Sequence, residues 1–470
     1  MVNVVFLYGE DRKGAIDKLI RALPSSWNIH VLKFFEEEID FGRPVKQVSV
    51  LSDPVFKSNP TPDQISQAES FIEHSFFLAL QYNYFWFKGY NKDSKALDKF
   101  YKIMANMVFF FKDYFQKNEI DFYSTYVACR LPFIMSTLVA KKMNLKPLNF
   151  AQTGTSQTIF LRDLNFSPIF YKTVSKTDIL AAKDFFQKRY MAKKVKQENT
   201  DVMNENKKKF GFFNFASENF SRLKSRLLGD RLHPNKLVYK PILPIVYDRL
   251  IKQMRRFIVP IFIDKIPENE KFLFFPLHHD EETHLSWGEH FSNQYELMEK
   301  VSRSLPNGYF IYVKPHPSWF CTDFPVSEVL KLKKLRNVRI VNPKISPIEL
   351  IKNSLATITI NSTTGLEAII FGKPVLTFGH NFYAKEGLSV VVHDIHTLPS
   401  AIETILFHPS ASFDQTKRDE FLGTYYAHLI HISVPLVYDL DFSESDAVSL
   451  AKEMVLLADF LNKTSSNKIN

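Results

Sequence analysis

The sequence predicts two α/β domains, each built on a mainly parallel sheet, and three observations predict this. The chain has 470 residues, more than one ordinary core accommodates. Apolar runs of strand length alternate with segments of helical spacing in two separate blocks, which is the pattern of a parallel sheet covered on both faces. Between the blocks, from about Lys188 to Lys240, the chain turns basic and irregular. Lys193-Lys194, Lys207-Lys208-Lys209, Arg222, Lys224, Arg226 and Arg231 crowd there, as in a linker or surface excursion. The expected division is a first domain at 1–187, a basic linker with a helical excursion at 188–268, a second domain at 269–410, and C-terminal helices at 411–470 that pack back on the first domain.

In the first block, Val4 to Tyr8 is an apolar strand stopping at Gly9, and Asp11 to Leu23 follows with helical spacing through Ile16, Leu19, Ile20 and Leu23. Ile29 to Phe34 fits a second strand. Helices are expected at about Asp63 to Gln81 and Ser94 to Gln116. Asp121 to Tyr126, a helix from Ala128 to Met143 and a strand from Pro147 to Phe150 continue the alternation. Tyr247 to Phe257 reads as a helix carrying Arg249, Lys252, Arg255 and Arg256.

In the second block, strands are expected at Phe272 to Leu277, Phe310 to Lys314, Val338 to Val341, Ala356 to Ile360 and Pro374 to Phe378. A helix spans about Asn293 to Arg303. Another opens at Ser346-Pro347-Ile348-Glu349, with serine as the cap, proline at the first helical position and glutamate three residues on. A short helix runs to Phe371. Helical sequence closes the chain at Ser445 to Leu461, with Thr464 to Asn470 expected to fray.

Composition narrows the partners. There are 45 Phe against 14 Gly, which favours sizeable cores over repeats. The formal charge of +10 suits a phosphate-bearing partner: a nucleotide sugar, a lipid-linked acceptor, an anionic membrane surface or nucleic acid. Cys129 and Cys321 are the only cysteines, too few for a disulfide framework or a cysteine zinc site, so a reducing, cytoplasmic setting is the simpler reading. No run of about 20 apolar residues occurs, so no membrane-spanning helix is expected. The basic excursion reads as solvated surface and not as a nucleic-acid site. Phe210, Phe212, Phe213 and Phe215 interleave it and leave peripheral contact with the inner face of a membrane open.

Ligands of parallel α/β sheets bind beyond the carboxyl ends of the strands. In the second block those ends carry His278-His279-Asp280-Glu281-Glu282, then Lys314-Pro315-His316-Pro317, then Ser362-Thr363-Thr364-Gly365. The last set opens a helix, where free N–H groups, the dipole and hydroxyls favour phosphate, and Glu367 in the first turns suits ribose hydroxyls. Ordinary capping by Ser362 or Thr363 is the plain alternative. His316 follows an alternating strand taken as the neighbour of the one before Ser362, and Lys314 precedes it. His233-Pro234 and His408-Pro409 lack that setting. His278 and the carboxylates after it match metal-ligand types, but no His-Glu-x-x-His helix is present, so sugar or acceptor contact is preferred and no metal or cofactor is expected. Glu282, and Asp11 in the loop Gly9 to Gly14, are the carboxylates placed for acid/base or nucleophilic work.

Phe275-Pro-Leu-His278 with Glu282, Tyr312-Val-Lys-Pro-His-Pro317, Glu349-Leu-Ile-Lys-Asn-Ser354, Asn361-Ser-Thr-Thr-Gly-Leu-Glu-Ala368, Gly372-Lys-Pro-Val375 and Phe378-Gly-His-Asn-Phe-Tyr383 resemble bacterial capsule polysaccharide biosynthesis proteins, a group that includes retaining β-Kdo transferases. The pairing of His-Pro with Ser/Thr is also similar to that of bacterial sialyltransferases, which use CMP-sugars. The resemblance covers about Lys271 to Tyr383. It implies a GT-B fold, two Rossmann-like domains facing each other across a cleft. It also implies a CMP-type donor held by His316 and Ser362 to Thr364, with Glu282 in the cleft, and a polysaccharide or lipid-linked glycan as acceptor. Asp280-Glu281-Glu282 departs from the Gln-Pro-Glu frequent in the family at this point. Two other functions remain open from sequence: a nucleotide-sugar epimerase of the same architecture, and a non-catalytic assembly or export protein on the membrane surface.

Overall fold

The computed structural model describes residues 2–9, 15–34, 38–81, 94–126, 131–152, 158–165, 167–192, 250–252, 254–267, 269–278, 293–315, 324–360, 362–379, 381–385, 387–408, 412–432 and 443–466. They fall into two compact units. One comprises Met1–Val174 and Tyr425–Asn470, and the other lies within Ser175 to Thr424.

The first unit holds a five-stranded sheet of β1 (Val2–Tyr8), β2 (Trp27–Lys33), β3 (Lys46–Ser49), β4 (Phe122–Ser124) and β5 (Lys146–Pro147), in the order β3-β2-β1-β4-β5. Every pairing in it is parallel. Its helices are α1 (Ala15–Ala22), α2 (Pro62–Ile72), α3 (Phe76–Gln81), α4 (Ser94–Lys117) and α5 (Leu131–Lys142). Alternation sorts β1 between two cores: Val5 and Leu7 join Met104, Phe111 and Phe115 of α4, while Val4, Phe6 and Tyr8 join Ile16, Leu19 and Ile20 of α1. The single helix expected over Asp63 to Gln81 is two. Thr61 and Gln64 close a capping box at the start of α2, and Glu73, in the left-handed conformation at φ 51°, ends it. An antiparallel pair, β6 (Asn149–Gln152) and β7 (Thr158–Arg162), stands apart from the main sheet. The sequence reading did not foresee β7.

His30 on β2 is 2% exposed. Its Nε2 accepts from Asn28 at 3.2 Å, and its Nδ1 lies 3.0 Å from the Tyr114 hydroxyl. Burial, and then the nearby Lys46 ammonium, push its pKa down to about 4. The unfolded chain takes up a proton near the ordinary 6.5 while the folded protein does so only near 4, so in that window the unfolded state binds more protons. Stability is therefore full above pH 6.5 and falls as the pH drops towards 4, with His30 contributing roughly 3 kcal/mol. Urea midpoints measured across that window should fall less steeply in His30→Gln than in the wild type.

The second unit begins with α6 (Lys176–Ala192) and holds a six-stranded sheet. Its strands are β8 (Lys271–Pro276), β9 (Tyr309–Lys314), β10 (Val338–Ile340), β11 (Ala356–Thr359), β12 (Val375–Thr377) and β13 (Ser389–Val391). All pairings are parallel, in the order β10-β9-β8-β11-β12-β13. Counted from its own first strand this is 3-2-1-4-5-6, the doubly wound Rossmann order. Helices α7 (Gln294–Ser304), α8 (Val326–Lys333), α9 (Pro347–Asn353), α10 (Thr363–Ile370), α11 (Leu398–Phe407) and α12 (Gln415–Ala427) follow in chain order. The core joins Leu273, Phe275, Ile311, Val313 and Ile358 from the strands to Leu297, Met298 and Val301 of α7 and Ile402 and Ile405 of α11. Pro347 takes the first helical position of α9 as expected, but the Ser346 side chain makes no capping bond. Strand β13 and helices α6 and α8 were not foreseen.

The chain then returns to the first unit. Strand β14 (Ile430–His431) pairs with β7, and α13 (Glu444–Ser466) lies on α1. Ala447, Leu450, Ala451, Met454, Leu457 and Ala458 recur at helical spacing and complete the core around Val4 and Phe6. Helix α13 continues past Thr464, whose hydroxyl donates to the Phe460 carbonyl at 2.6 Å, so fraying does not begin there. Just before β14, His428 is buried between the rings of Phe170 and Tyr171. Its Nε2 accepts two backbone N–H groups, from Tyr171 at 2.8 Å and Lys172 at 2.7 Å, which puts the ring proton on Nδ1. Glu453 of α13 adds a bond to the Tyr171 hydroxyl and an ion pair to Lys172 at 2.8 Å.

The α/β class, as two Rossmann-like units, is the class expected from the sequence. Among the described residues no helix is long and apolar enough to cross a membrane.

Candidate functional site at the carboxyl edge of the second sheet

The strand order reverses direction between β8 and β11, so the crevice beyond their carboxyl ends is the topological switch point of this sheet. The ladders open there. Strand β8 stays paired with β9 as far as Pro276↔Lys314, whereas its pairing with β11 covers Ala356↔Leu273 and Thr357↔Phe274. Pro276 has no N–H to offer, and it stands beyond the last residue that β8 pairs with β11.

His278 leaves the end of β8, buried, at 7% exposure. Its backbone is held by a side chain: His278 N–H donates to Gln294 Oε1 at 2.9 Å, and Gln294 Nε2 donates back to the His278 carbonyl at 3.0 Å. Gln294 is itself buried at the start of α7, where Asn293 caps the helix by accepting from the N–H groups of Tyr295 and Glu296. The amide therefore extends the edge of β8 as a neighbouring strand would. Lys314 ends β9, is buried, and accepts at its carbonyl from the Leu277 N–H at 2.9 Å.

Beyond β11, Ser362 caps α10. Its Oγ accepts from the Thr364 N–H at 3.2 Å and lies 3.1 Å from Thr364 Oγ1, while its own N–H donates to Thr359 Oγ1 at 2.9 Å. The ordinary capping role is thus filled by Ser362. Thr363, at the first helical position, is exposed, while Thr364 and Glu367 are half-buried. A second layer fixes this turn. The Tyr383 hydroxyl donates to the Ser362 carbonyl, and burial pushes that phenol's pKa well up, so it remains a donor. Asn381 Nδ2 donates to the Ile360 carbonyl at 2.9 Å and to Thr377 Oγ1 at 2.5 Å, tying the end of β11 to that of β12. Gly365 is required by this packing: a Cβ there would lie 2.5 Å from the Tyr383 hydroxyl and 2.7 Å from its ring carbons.

The structure thus brings His278, Lys314, Ser362, Thr363, Thr364 and Glu367 to one edge of one sheet. One expectation is corrected. The strand before His316 is not the neighbour of the strand before Ser362, because β8 lies between β9 and β11, and the strand beside the turn is the one that ends at His278. His316, Glu282 and Asp11 lie outside the described residues. So do His279 to His284, where a metal was weighed. Among the described residues no three His, Cys, Asp or Glu side chains group as metal ligands. Sequence reading missed Gln294, whose only local signal is its place after a capping asparagine. Asn381 and Tyr383 lie in the stretch Phe378 to Tyr383, where nothing in the local sequence signals their supporting contacts.

Residues 231–412 match the sequence model of a family described as capsule polysaccharide biosynthesis protein. Over 140 residues the chain is 30% identical to protein FixF of Sinorhizobium fredii, a stretch that is 30% of this chain and 32% of FixF. Over 105 residues it is 30% identical to the capsule polysaccharide modification protein LipA of Neisseria meningitidis serogroup B, covering 22% of this chain and 15% of LipA. The chain therefore spans about a third of the first relative and less of the second. Among solved structures, Thermosulfurimonas dismutans KpsC, a β-Kdo 2,7 transferase, aligns over 73% of this chain and 88% of that chain, at 15% identity and a TM-score of 0.33, a likeness too loose to argue from. The family match spans most of the second unit, and over those residues the chain is similar to capsule polysaccharide biosynthesis proteins.

Proposed function

We propose that the protein is a glycosyltransferase of cell-surface or capsular polysaccharide synthesis that binds its nucleotide-activated sugar, a CMP-sugar by preference, at the carboxyl edge of the second sheet. One observation carries this reading: a capped helix N-terminus with an exposed threonine opens directly at the switch point of a 3-2-1-4-5-6 sheet, beside the buried His278. N–H groups and the helix dipole favour an anion there, and hydroxyls add donors to the phosphate oxygens. In this reading Thr363 and His316 contact phosphate and nucleotide, and Lys314 supplies positive charge. Glu367 reaches ribose hydroxyls, and Ser362 and Thr364 hold the turn in shape. Glu282 and Asp11 are the acid/base or nucleophilic groups, acting on a polysaccharide or lipid-linked glycan acceptor in the cytoplasm.

Titration calorimetry with a panel of nucleotides tests it. CMP should bind more tightly than UMP or GMP. Thr363→Ala and His316→Ala should each weaken CMP about ten- to a hundred-fold, the worth of one hydrogen bond to a charged group, without lowering the melting temperature. Glu282→Gln and Asp11→Asn should keep nucleotide affinity and lose transfer. A non-catalytic assembly protein would bind none of the nucleotides.

A further inference from the structure

Asn381 follows β12 on the way to Tyr383, and one half of its side chain is fully employed. Its Nδ2 has three acceptors: the Ile360 carbonyl at 2.9 Å, Thr377 Oγ1 at 2.5 Å and the Gly379 carbonyl at 3.3 Å. Two of these are backbone carbonyls, which can only accept. The nitrogen of the amide therefore faces them, and the orientation of the group is fixed. The other half is open. Among the described residues nothing donates to Asn381 Oδ1, and the residue is half-buried, not sealed in the core.

The bonds at nitrogen say where this acceptor stands. Ile360 directly follows β11, and Thr377 is the last residue of β12, so the nitrogen points back at the strand ends. The oxygen is left on the side away from them, the carboxyl edge where ligands of such sheets bind. Ile360 is also two residues before Ser362, which places the amide beside the turn that opens α10.

Chemistry narrows what the oxygen can meet. The phosphate of a nucleotide sugar is ionised at neutral pH and its oxygens only accept, so Oδ1 and phosphate repel each other. The partner of Oδ1 has to donate. The donors of a nucleotide that lie nearest its phosphate are the ribose hydroxyls, a few bonds away, whereas a base amino group lies across the ribose. Ribose carries two adjacent hydroxyls, and a second acceptor besides Glu367 suits the pair.

We propose that Asn381 selects the donor: its Oδ1 accepts a hydrogen bond from one ribose hydroxyl of the nucleotide, and the site prefers ribonucleotides to their deoxy forms. The inference rests on the donor reading above and adds to it a residue and a selectivity. A ligand without that hydroxyl leaves a fixed acceptor facing it unpaired, which is how a polar site rejects an analogue lacking one group.

The test is titration calorimetry of the full chain with CMP, 2′-deoxy-CMP and 3′-deoxy-CMP, for wild type, Asn381→Ala and Asn381→Asp. The wild type should bind one of the deoxy forms about three- to ten-fold more weakly than CMP, the worth of one neutral hydrogen bond. Both variants lose the three bonds made by Nδ2, so both should melt earlier than the wild type. They differ in the acceptor. Asn381→Ala should lose the preference for CMP over that deoxy form, while Asn381→Asp, which keeps an oxygen at the position, should retain it. A side chain that only braces the loop would weaken all three nucleotides in proportion and leave their ratios unchanged in Asn381→Ala, and that result overturns the proposal. So does a wild type that binds CMP and both deoxy forms equally, a result that needs no variant to fold. A wild type that binds no nucleotide removes the donor reading and this inference with it, so the two failures are told apart.

Discussion

Replacing His428 by alanine is expected to lower the unfolding free energy of the first unit by about 4 kcal/mol. Two partly buried N–H groups, of Tyr171 and Lys172, donate to one ring nitrogen and would both lose their acceptor. Each orphaned buried donor costs about 1–3 kcal/mol. The imidazole also fills the space between Phe170 and Tyr171, with ring centroids 5.2 and 5.1 Å away, and each such contact adds about 0.5–1.5 kcal/mol. The melting temperature should fall on the order of 10 °C. His428→Gln, which returns a carbonyl acceptor of similar reach, should recover part of the loss. Chemical denaturation followed by fluorescence checks both variants. An alanine variant within about 1 kcal/mol of wild type would mean that water takes over both donors.

Gly365→Ala should have the next largest effect, because it acts on stability and on the proposed donor site together. The added methyl would sit 2.5–2.7 Å from atoms of the Tyr383 phenol, a fully buried ring with little room to retreat. Overpacking of this kind costs about 3 kcal/mol. Any retreat of Tyr383 also withdraws its hydroxyl from the Ser362 carbonyl, loosening the turn that opens α10. Nucleotide affinity should fall about ten-fold beyond what Tyr383→Phe alone produces, since the phenylalanine variant loses the hydrogen bond but keeps the ring in place. Calorimetry of both variants, alongside their melting curves, separates the steric from the hydrogen-bonding contribution.

The sheets and most of their helices were legible in the sequence because their evidence is local. The apolar run Val4 to Tyr8 that stops at Gly9, or the run from Ala356 into Ser362, carries its own length and its own punctuation. What was not legible depended on partners far away in the chain. Strand β7 pairs with residues 430–431, and nothing within 158–162 announces that partner. The break at Glu73 needs a non-glycine residue in the left-handed region, which local propensity argues against. Strand order is also a tertiary property. The run of three polar strand ends suggested that the turn at Ser362 and the strand before His316 were neighbours, and β8 proves to lie between them. For the same reason the residues that hold the site, Gln294 and Tyr383, were harder to find than the hydroxyl residues they support. Their purpose is visible only once residues 16 and 21 positions away are beside them.

The way the chain leaves the first unit at Val174 and re-enters it at Tyr425 bears on how the protein is made. A ribosome delivers β1 to β5 early, yet the layer that covers one face of that sheet includes Ala447 to Ala458 and arrives hundreds of residues later. Until then Val4, Phe6 and Tyr8 lack part of their cover. The intervening unit has every strand of its sheet in one uninterrupted stretch and can close as soon as it emerges. The usual order of domain folding during synthesis, amino-terminal first, is then reversed: the second unit matures before the first. The half-covered first sheet is the stage at which a nascent chain of this protein most needs protection from aggregation.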